Sequence, residues 1–242
     1  MNCEYKWYNS CKKNHYFLCG GVAVGKTTVM KELCNIIKTR VKTCFIKEYI
    51  DLDFMGESLL QRLKEGKMSN FEFQSYVLNC FETQLRSKEY SEAVIVVWER
   101  HPEEALKIFC SSPNALTISE RYGLLEKLAK LKKTFDIPEI SDDTSYLFKI
   151  NTYYYGPRYI AESIYTQQMI PRIFDKGKSN YFYLLYCDPV EEQLKRIKTR
   201  GRKVEIATYK NVFDLAPIND AYEDLFDTVL FLKGQNEDGQ AE

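Results

Sequence analysis

The sequence predicts an α/β fold, a parallel β-sheet with helices on both faces, and three observations predict it. The first is a glycine-rich loop, Gly20-Gly21-Val22-Ala23-Val24-Gly25-Lys26-Thr27-Thr28, set between an apolar run (Tyr16, Phe17, Leu18, Cys19) and a helical pattern (Val29, Met30, Leu33, Ile36, Ile37). The second is a pair of unbroken β-branched and aromatic runs, residues 93–98 and 181–187. Runs of that kind suit strands covered on both faces. The third is the alternation of such strands with helix-length stretches, which calls for crossovers and therefore a parallel sheet.

The loop fits G-x-x-x-x-G-K-[ST], the phosphate-binding pattern. Its glycines let the backbone turn N–H groups inward around phosphates, and the following helix adds the positive end of its dipole. In that arrangement Lys26 reaches the outer phosphates and Thr27 ligates magnesium. A nucleoside triphosphate is the implied ligand.

Taken in order, residues 43–48 read as a short strand ending on a carboxylate, Glu48. Residues 58–63 and 71–85 carry helical spacing. The strand at 93–98 runs into Glu99 and Arg100, and 119–133 (Glu120, Leu124, Leu125, Leu128, Leu131) reads as an amphipathic helix. A further helical pattern falls at 157–174. After the strand at 181–187, Asp188-Pro189 opens a basic helix through Arg200, which Gly201 is placed to end. Residues 229–232 read as a final strand before a polar tail. Residues 1–14 read as an N-terminal extension and 15–242 as one domain, ample for a core without staples.

Composition narrows the function classes. Lysine plus arginine equals aspartate plus glutamate at 34 each, so no global charge favours nucleic acid or an anionic membrane. No stretch has the length of a membrane span. The eight cysteines lack paired C-x-x-C spacing and several lie inside apolar runs, which argues for reduced thiols rather than a disulfide framework or zinc site. Glu4 and the absence of an Arg/Ser bias count against a transit peptide. A cytoplasmic protein is the reading, in the host-cell cytoplasm if the source is viral.

Ligands of open α/β sheets sit at the carboxyl ends of the strands, where the loop, Glu48 and Glu99 all fall. A carboxylate at Glu48 can accept the proton of a hydroxyl that attacks the γ-phosphate. Glu99 can hold magnesium, and Arg100 can neutralise phosphate charge. His101, beside Pro102, reads as a neutral structural histidine. Arg196 and Arg200 share a helix face by i,i+4 spacing, with Arg202 beyond Gly201, and such guanidiniums make bidentate phosphate clamps.

Together these residues resemble the deoxynucleoside kinases, in order and approximate spacing from about residue 15 to 238. Glu99-Arg100-His101-Pro102 looks like the Asp-Arg-His-Pro of the herpesvirus thymidine kinases, with Glu as in the cellular enzymes. Residues 71–77 look like the helix whose glutamine pairs with the base, and 196–202 like the lid of deoxycytidine kinase. The resemblance implies a P-loop kinase fold with an arginine-rich lid that transfers the γ-phosphate of Mg·ATP to the 5′-hydroxyl of a deoxynucleoside. It implies Glu48 as base, with Arg100 on the hydroxyl and phosphate and Lys26 on the phosphates. Glu99 and Thr27 would be at magnesium, and Arg196, Arg200 and Arg202 over ATP. Gln74, with Phe73 beside it, would read the base, Phe109 flank it, and Glu205 hold the 3′-hydroxyl. Residues 235–238 look like the loop that contacts adenine.

Specificity is read at Ala105 and Phe81, where deoxycytidine kinases carry Asp and Arg. The apolar pair is similar to that of the thymidine kinases, so thymidine is the expected nucleoside. The chain departs from the family at Tyr49, where a proline is usual, and at Asp53, with Phe54 adjacent, where a tryptophan is usual. The segment between Arg100 and residue 181 is longer than in the cellular enzymes. The family's members are often dimers, which the resemblance extends to this chain as a homodimer. A GTPase-type switch fits worse: Asp53-x-x-Gly56 matches D-x-x-G, but the sequence has no Asn-Lys-x-Asp.

Overall fold

A computed structural model describes residues 13–37, 41–52, 55–174 and 179–238. In chain order the elements are β1 (Asn14–Cys19), α1 (Lys26–Ile37), β2 (Thr43–Ile46), α2 (Met55–Lys64), α3 (Asn70–Leu85), α4 (Lys88–Glu92), β3 (Ile95–Glu99), α5 (Glu104–Lys107), α6 (Ile118–Phe135), β4 (Ser145–Asn151), α7 (Pro157–Ser163), α8 (Ile170–Phe174), β5 (Asn180–Tyr186), α9 (Val190–Arg200), α10 (Lys203–Thr208) and α11 (Ala216–Asp238). The five strands form one sheet in the order β2-β3-β1-β5-β4, and every pairing is parallel.

Alternation along the strands builds two cores. In β1, Phe17 and Cys19 face one side and Tyr16 and Leu18 the other, all essentially inaccessible. The first side packs under α3, α6 and α11 through Leu78, Phe81, Leu124, Leu128, Tyr222 and Phe226. The second packs under α1 and α7 through Val29, Leu33, Ile160 and Ala161. Burial on both faces is why 93–98 and 181–187 are apolar without interruption. Helix ends follow local chemistry: Ser69 with Glu72 and Thr117 with Glu120 close capping boxes on α3 and α6. Gly201 ends α9 in the left-handed region at φ 78°.

Three expectations need correction. Residues 229–232 are not a strand but part of α11, where Tyr222, Phe226 and Val229 form the buried stripe and Leu230, Phe231 and Leu232 are exposed. The sheet edge is taken instead by β4, from the long segment between Arg100 and residue 181, which the sequence reading left unassigned. Only the ends of β4 are buried, so its pattern is too broken to stand out. Residues 235–238 continue α11 toward the far end of the sheet, since Lys233 Nζ donates to the Asp142 carbonyl just before β4 begins. They are far from the loop after β1, because α11 starts beside that loop and runs away from it. The strand expected at 93–98 starts at Ile95 and includes Glu99. Among the described residues no helix is long and apolar enough to cross a membrane.

One buried ion-pair cluster ties α5 to α6. Glu103 lies 2.6 Å from both Lys107 Nζ and Lys132 Nζ, and Lys132 also reaches Glu139. Burial alone would raise the Glu103 carboxyl, but the His101 ring and the two ammonium groups outweigh it and hold it down to about 2. A folded-state value below the unfolded one adds stability above about pH 4.5, lost as pH falls toward 2. Glu103→Gln is expected to cost up to about 3 kcal/mol at neutral pH. Thermal unfolding of both proteins checks this: the Tm gap should narrow between pH 6 and pH 3, and a constant gap would refute it.

Candidate active site

A cavity of about 1160 Å³ opens at the carboxyl ends of β1, β2 and β3, the ends that carry the glycine-rich loop, Glu48 and Glu99. The loop is shaped by close approach. Gly20 has φ 132°, and a Cβ there would lie 2.1 Å from the Leu185 carbonyl oxygen, so only glycine fits against β5. From the far side, Gln193 of α9 donates to the Val22 carbonyl (2.7 Å) and pairs with Asn219 of α11 (2.9 Å). Lys26, buried, donates to the carbonyls of Gly20 (2.9 Å) and Gly21 (2.7 Å). Burial first, then Arg100, pushes its ammonium down to about 8, against the opposing pull of Glu48, Glu99 and Glu104. A phosphate replacing those carbonyls would restore the partner that a buried cation needs.

Arg100 is the hub. Its backbone sits at φ 76°, rare for a residue with a side chain, and its N–H donates to the Leu18 carbonyl (3.1 Å). The guanidinium donates through Nε to Glu48 Oε1 (2.6 Å) and through Nη1 to Glu104 Oε2 (3.2 Å), the Gly20 carbonyl (3.1 Å) and the Tyr222 hydroxyl. Tyr222 in turn donates to Glu104. Burial would raise the Glu48 carboxyl, but Arg100 and Lys26 outweigh it, so Glu48 stays ionised at neutral pH. His101 matches its structural reading: its Nε2 is 3.0 Å from the Pro138 carbonyl, its Nδ1 accepts from the Glu103 amide (3.2 Å), and burial lowers its pKa.

Thr27 Oγ1 donates to Glu99 Oε1, while Glu99 Oε2 is buried with no hydrogen-bond partner. Burial and then Glu48 push this carboxyl up to about 7. A hydroxyl beside an unsatisfied carboxylate oxygen, next to a phosphate loop, fits magnesium, which keeps waters and substrate phosphates as its other ligands. Among the described residues no group of three His, Cys, Asp or Glu forms a closed metal cage.

Farther in, the cavity is lined by Phe73, Gln74, Phe81, Ala105, Phe109 and Glu205. Gln74 is buried and its Oε1 has no partner. Tyr49 packs edge-on against Phe73 at 5.2 Å and supplies a wall there. Asp53 and Phe54 lie outside the described residues. The helix expected to carry both Ala105 and Phe109 is the short α5, which ends at Lys107, because Phe109 N–H reaches back to Glu104 instead of continuing the i−4 ladder. Phe109 still borders the cavity, with the Arg100 guanidinium 5.0 Å from its ring centre.

The arginines of α9 and its sequel line the other end. Arg196 donates to Thr152 Oγ1 (2.9 Å) and to the Thr152 carbonyl (3.1 Å). Arg200 pairs with Glu205, and Arg202 with Asp51 (3.0 Å) and Glu205 (3.4 Å). Sequence reading missed Glu104, Tyr222, Gln193, Asn219 and Thr152. Each is remote in sequence from the residue it holds, apart from Glu104, which sits i+4 from Arg100 and was overlooked beside Glu103.

No protein-family model matches this chain, and no curated protein matches it. Solved structures do. A deoxyadenosine kinase from M. mycoides with bound dATP aligns at a TM-score of 0.52 and 15% identity, over 90% of this chain and 86% of that one. The same enzyme with bound dCTP aligns at 0.49 and 17%, over 90% and 85%. The first of these likenesses establishes the fold, that of a deoxynucleoside kinase.

Proposed function

We propose that this chain, with the fold of a deoxynucleoside kinase, transfers the γ-phosphoryl group of Mg·ATP to the 5′-hydroxyl of a deoxynucleoside, and that thymidine is its preferred acceptor. The observation that carries the reading is the convergence on one cavity of a phosphate loop, the ionised Glu48 on Arg100, and the unpartnered carboxamide of Gln74.

In this reading Glu48 takes the proton of the 5′-hydroxyl as its oxygen bonds to the γ-phosphorus, and the bond to the β–γ bridging oxygen breaks to release ADP. Arg100 lies beside Glu48 and orients both the base and the incoming oxygen. Lys26 and the loop amides hold the β- and γ-phosphates, and Arg196, Arg200 and Arg202 serve as the lid over them. Magnesium held by Thr27 and Glu99 would neutralise charge on the phosphates. Glu205 takes the 3′-hydroxyl once a substrate competes with its arginine partners.

Gln74 supplies a donor and an acceptor side by side, and a rotated carboxamide complements any of the four bases. Choice of base therefore rests on Ala105 and Phe81, whose small and apolar surfaces leave room for the thymine methyl. An apolar pocket distinguishes a methyl by only about 1–3 kcal/mol. A purine deoxynucleoside, the substrate named for the structural relative, is the second reading.

The test is ADP release with Mg·ATP and each of the four deoxynucleosides and thymidylate. Thymidine is expected to give the highest kcat/KM. Phe81 packs into the core at 6.1 Å from Trp98, so Phe81→Arg would bury a charge, and Ala105→Asp is the cleaner probe. It should lower thymidine kcat/KM roughly 5- to 150-fold while sparing part of the deoxycytidine activity. A native enzyme that prefers deoxycytidine or deoxyadenosine would overturn the thymidine assignment.

A further inference from the structure

With residues 235–238 carried to the opposite end of the sheet, the donor end of the cavity has to take its wall for the nucleotide base from another segment. The edge strand β4 supplies one. Its carboxyl end leads into Thr152-Tyr153-Tyr154-Tyr155-Gly156, and this loop is anchored. Thr152 N–H donates to the Tyr186 carbonyl at the end of β5 (2.8 Å), and Asn151 bridges to Asp188 by accepting from its amide (3.3 Å) and donating to its carbonyl (3.0 Å). The Asn151 side chain also receives the Tyr153 amide (3.0 Å). Arg196 closes on Thr152 from α9.

Thr152, Pro157 and Ile160 border the same cavity as the phosphate loop and Arg196. The rings next to them are left to solvent: Tyr153 is 50% exposed, Tyr154 72%, Tyr155 46% and Tyr159 62%. They are paired, Tyr153 edge-on to Tyr154 at 5.2 Å and Tyr155 stacked on Tyr159 at 5.3 Å. Four exposed tyrosines within seven residues bury little core, yet the backbone that presents them is held by five hydrogen bonds to β5, Asp188 and Arg196. A fixed loop with free aromatic faces, continuous with a phosphate site and at the carboxyl ends of the two outer strands, is where an open α/β sheet places a planar ligand.

We propose that the loop Tyr153–Tyr155, with Tyr159, is the platform on which the base of the donor nucleoside triphosphate stacks. The inference rests on the kinase reading above and deepens it, by assigning the donor base to residues that neither the resemblance nor the glycine-rich motif points to. Stacking on tyrosine is tolerant of base identity, because every base presents a π-face. ATP and GTP are therefore expected to bind within about tenfold of one another. The base adds affinity while the phosphates carry the chemistry, so the tyrosines act on donor binding.

The experiment compares the full chain with Tyr153→Ser/Tyr154→Ser/Tyr155→Ser and with Tyr159→Ser. Calorimetric titration with Mg·ATP and with inorganic tripolyphosphate is read beside thermal unfolding and sedimentation. ATP affinity should fall roughly 5- to 150-fold in the triple variant, with tripolyphosphate affinity and Tm unchanged. Equal weakening of ATP and tripolyphosphate would overturn the platform, since the loop would then only shape the phosphate site. Unchanged ATP affinity would also overturn it, and if the oligomeric state shifted instead, the tyrosines would be a contact between copies of the chain. A native protein that binds tripolyphosphate but no better than it binds ATP removes the base site and leaves the kinase reading standing. One that binds neither removes both.

Discussion

Glu48→Gln is expected to reduce kcat by about 10²–10⁴-fold while leaving ATP affinity intact. Glutamine keeps an oxygen for Arg100 Nε, now 2.6 Å from Glu48 Oε1, so the local geometry survives and only the proton acceptor is lost. The charge environment gives a second signature. Arg100 and Lys26 hold the Glu48 carboxyl below its ordinary value despite burial, so the base stays deprotonated into acid. The acidic limb of kcat/KM assigned to Glu48 should then lie below the usual carboxylate range. Steady-state kinetics across pH with an ATP titration of the variant test both points. Near-native kcat in Glu48→Gln would remove Glu48 from the base role.

Arg100→Leu should have the largest effect on stability as well as abolishing turnover. The guanidinium is buried between Glu48 and Glu104, both buried in turn, and burial of a paired cluster turns costly when one partner is lost. Leaving two carboxylates and the Tyr222 hydroxyl without their cation is expected to cost about 3–5 kcal/mol. For a chain of this size that corresponds to a fall in Tm of roughly 6–20 °C. Pairing the change with Glu104→Gln removes one stranded charge and should recover part of the loss, though not activity. If Arg100→Leu melted like the native protein, the cluster would contribute nothing to stability, and the positive φ at residue 100 would be the feature left to explain.

The chemistry was legible because it is local. Gly20 to Thr28 needs its glycines, lysine and threonine at fixed offsets, and Glu99-Arg100 follows its strand directly, so one short window contains each motif. The central strands were legible for a related reason: burial on both faces leaves an unbroken apolar run at 93–98 and 181–187. The edge strand β4 was not, since one of its faces meets solvent and its residues alternate poorly. Residues 229–232 misled because a four-residue apolar run fits a strand or a helix equally well. What decided between them was the stripe Tyr222, Phe226 and Val229 against the core, visible only once α11 is seen packed.

By itself, then, the sequence determined the phosphate loop, the parallel α/β architecture and the residue types that line the cavity, all properties set by short-range spacing and periodicity. Tertiary structure alone decided which side chains pair across it. Glu48 and Arg100 are 52 residues apart, Arg100 and Tyr222 are 122 apart, and Arg196 and Thr152 are 44 apart, yet each pair shares a hydrogen bond. It also decided that β4 fills the sheet edge, bringing a tyrosine loop to the donor end, while α11 carries the tail away. Strand order is fixed by which edge each crossover can reach and cover, a global packing choice that no window of the sequence records.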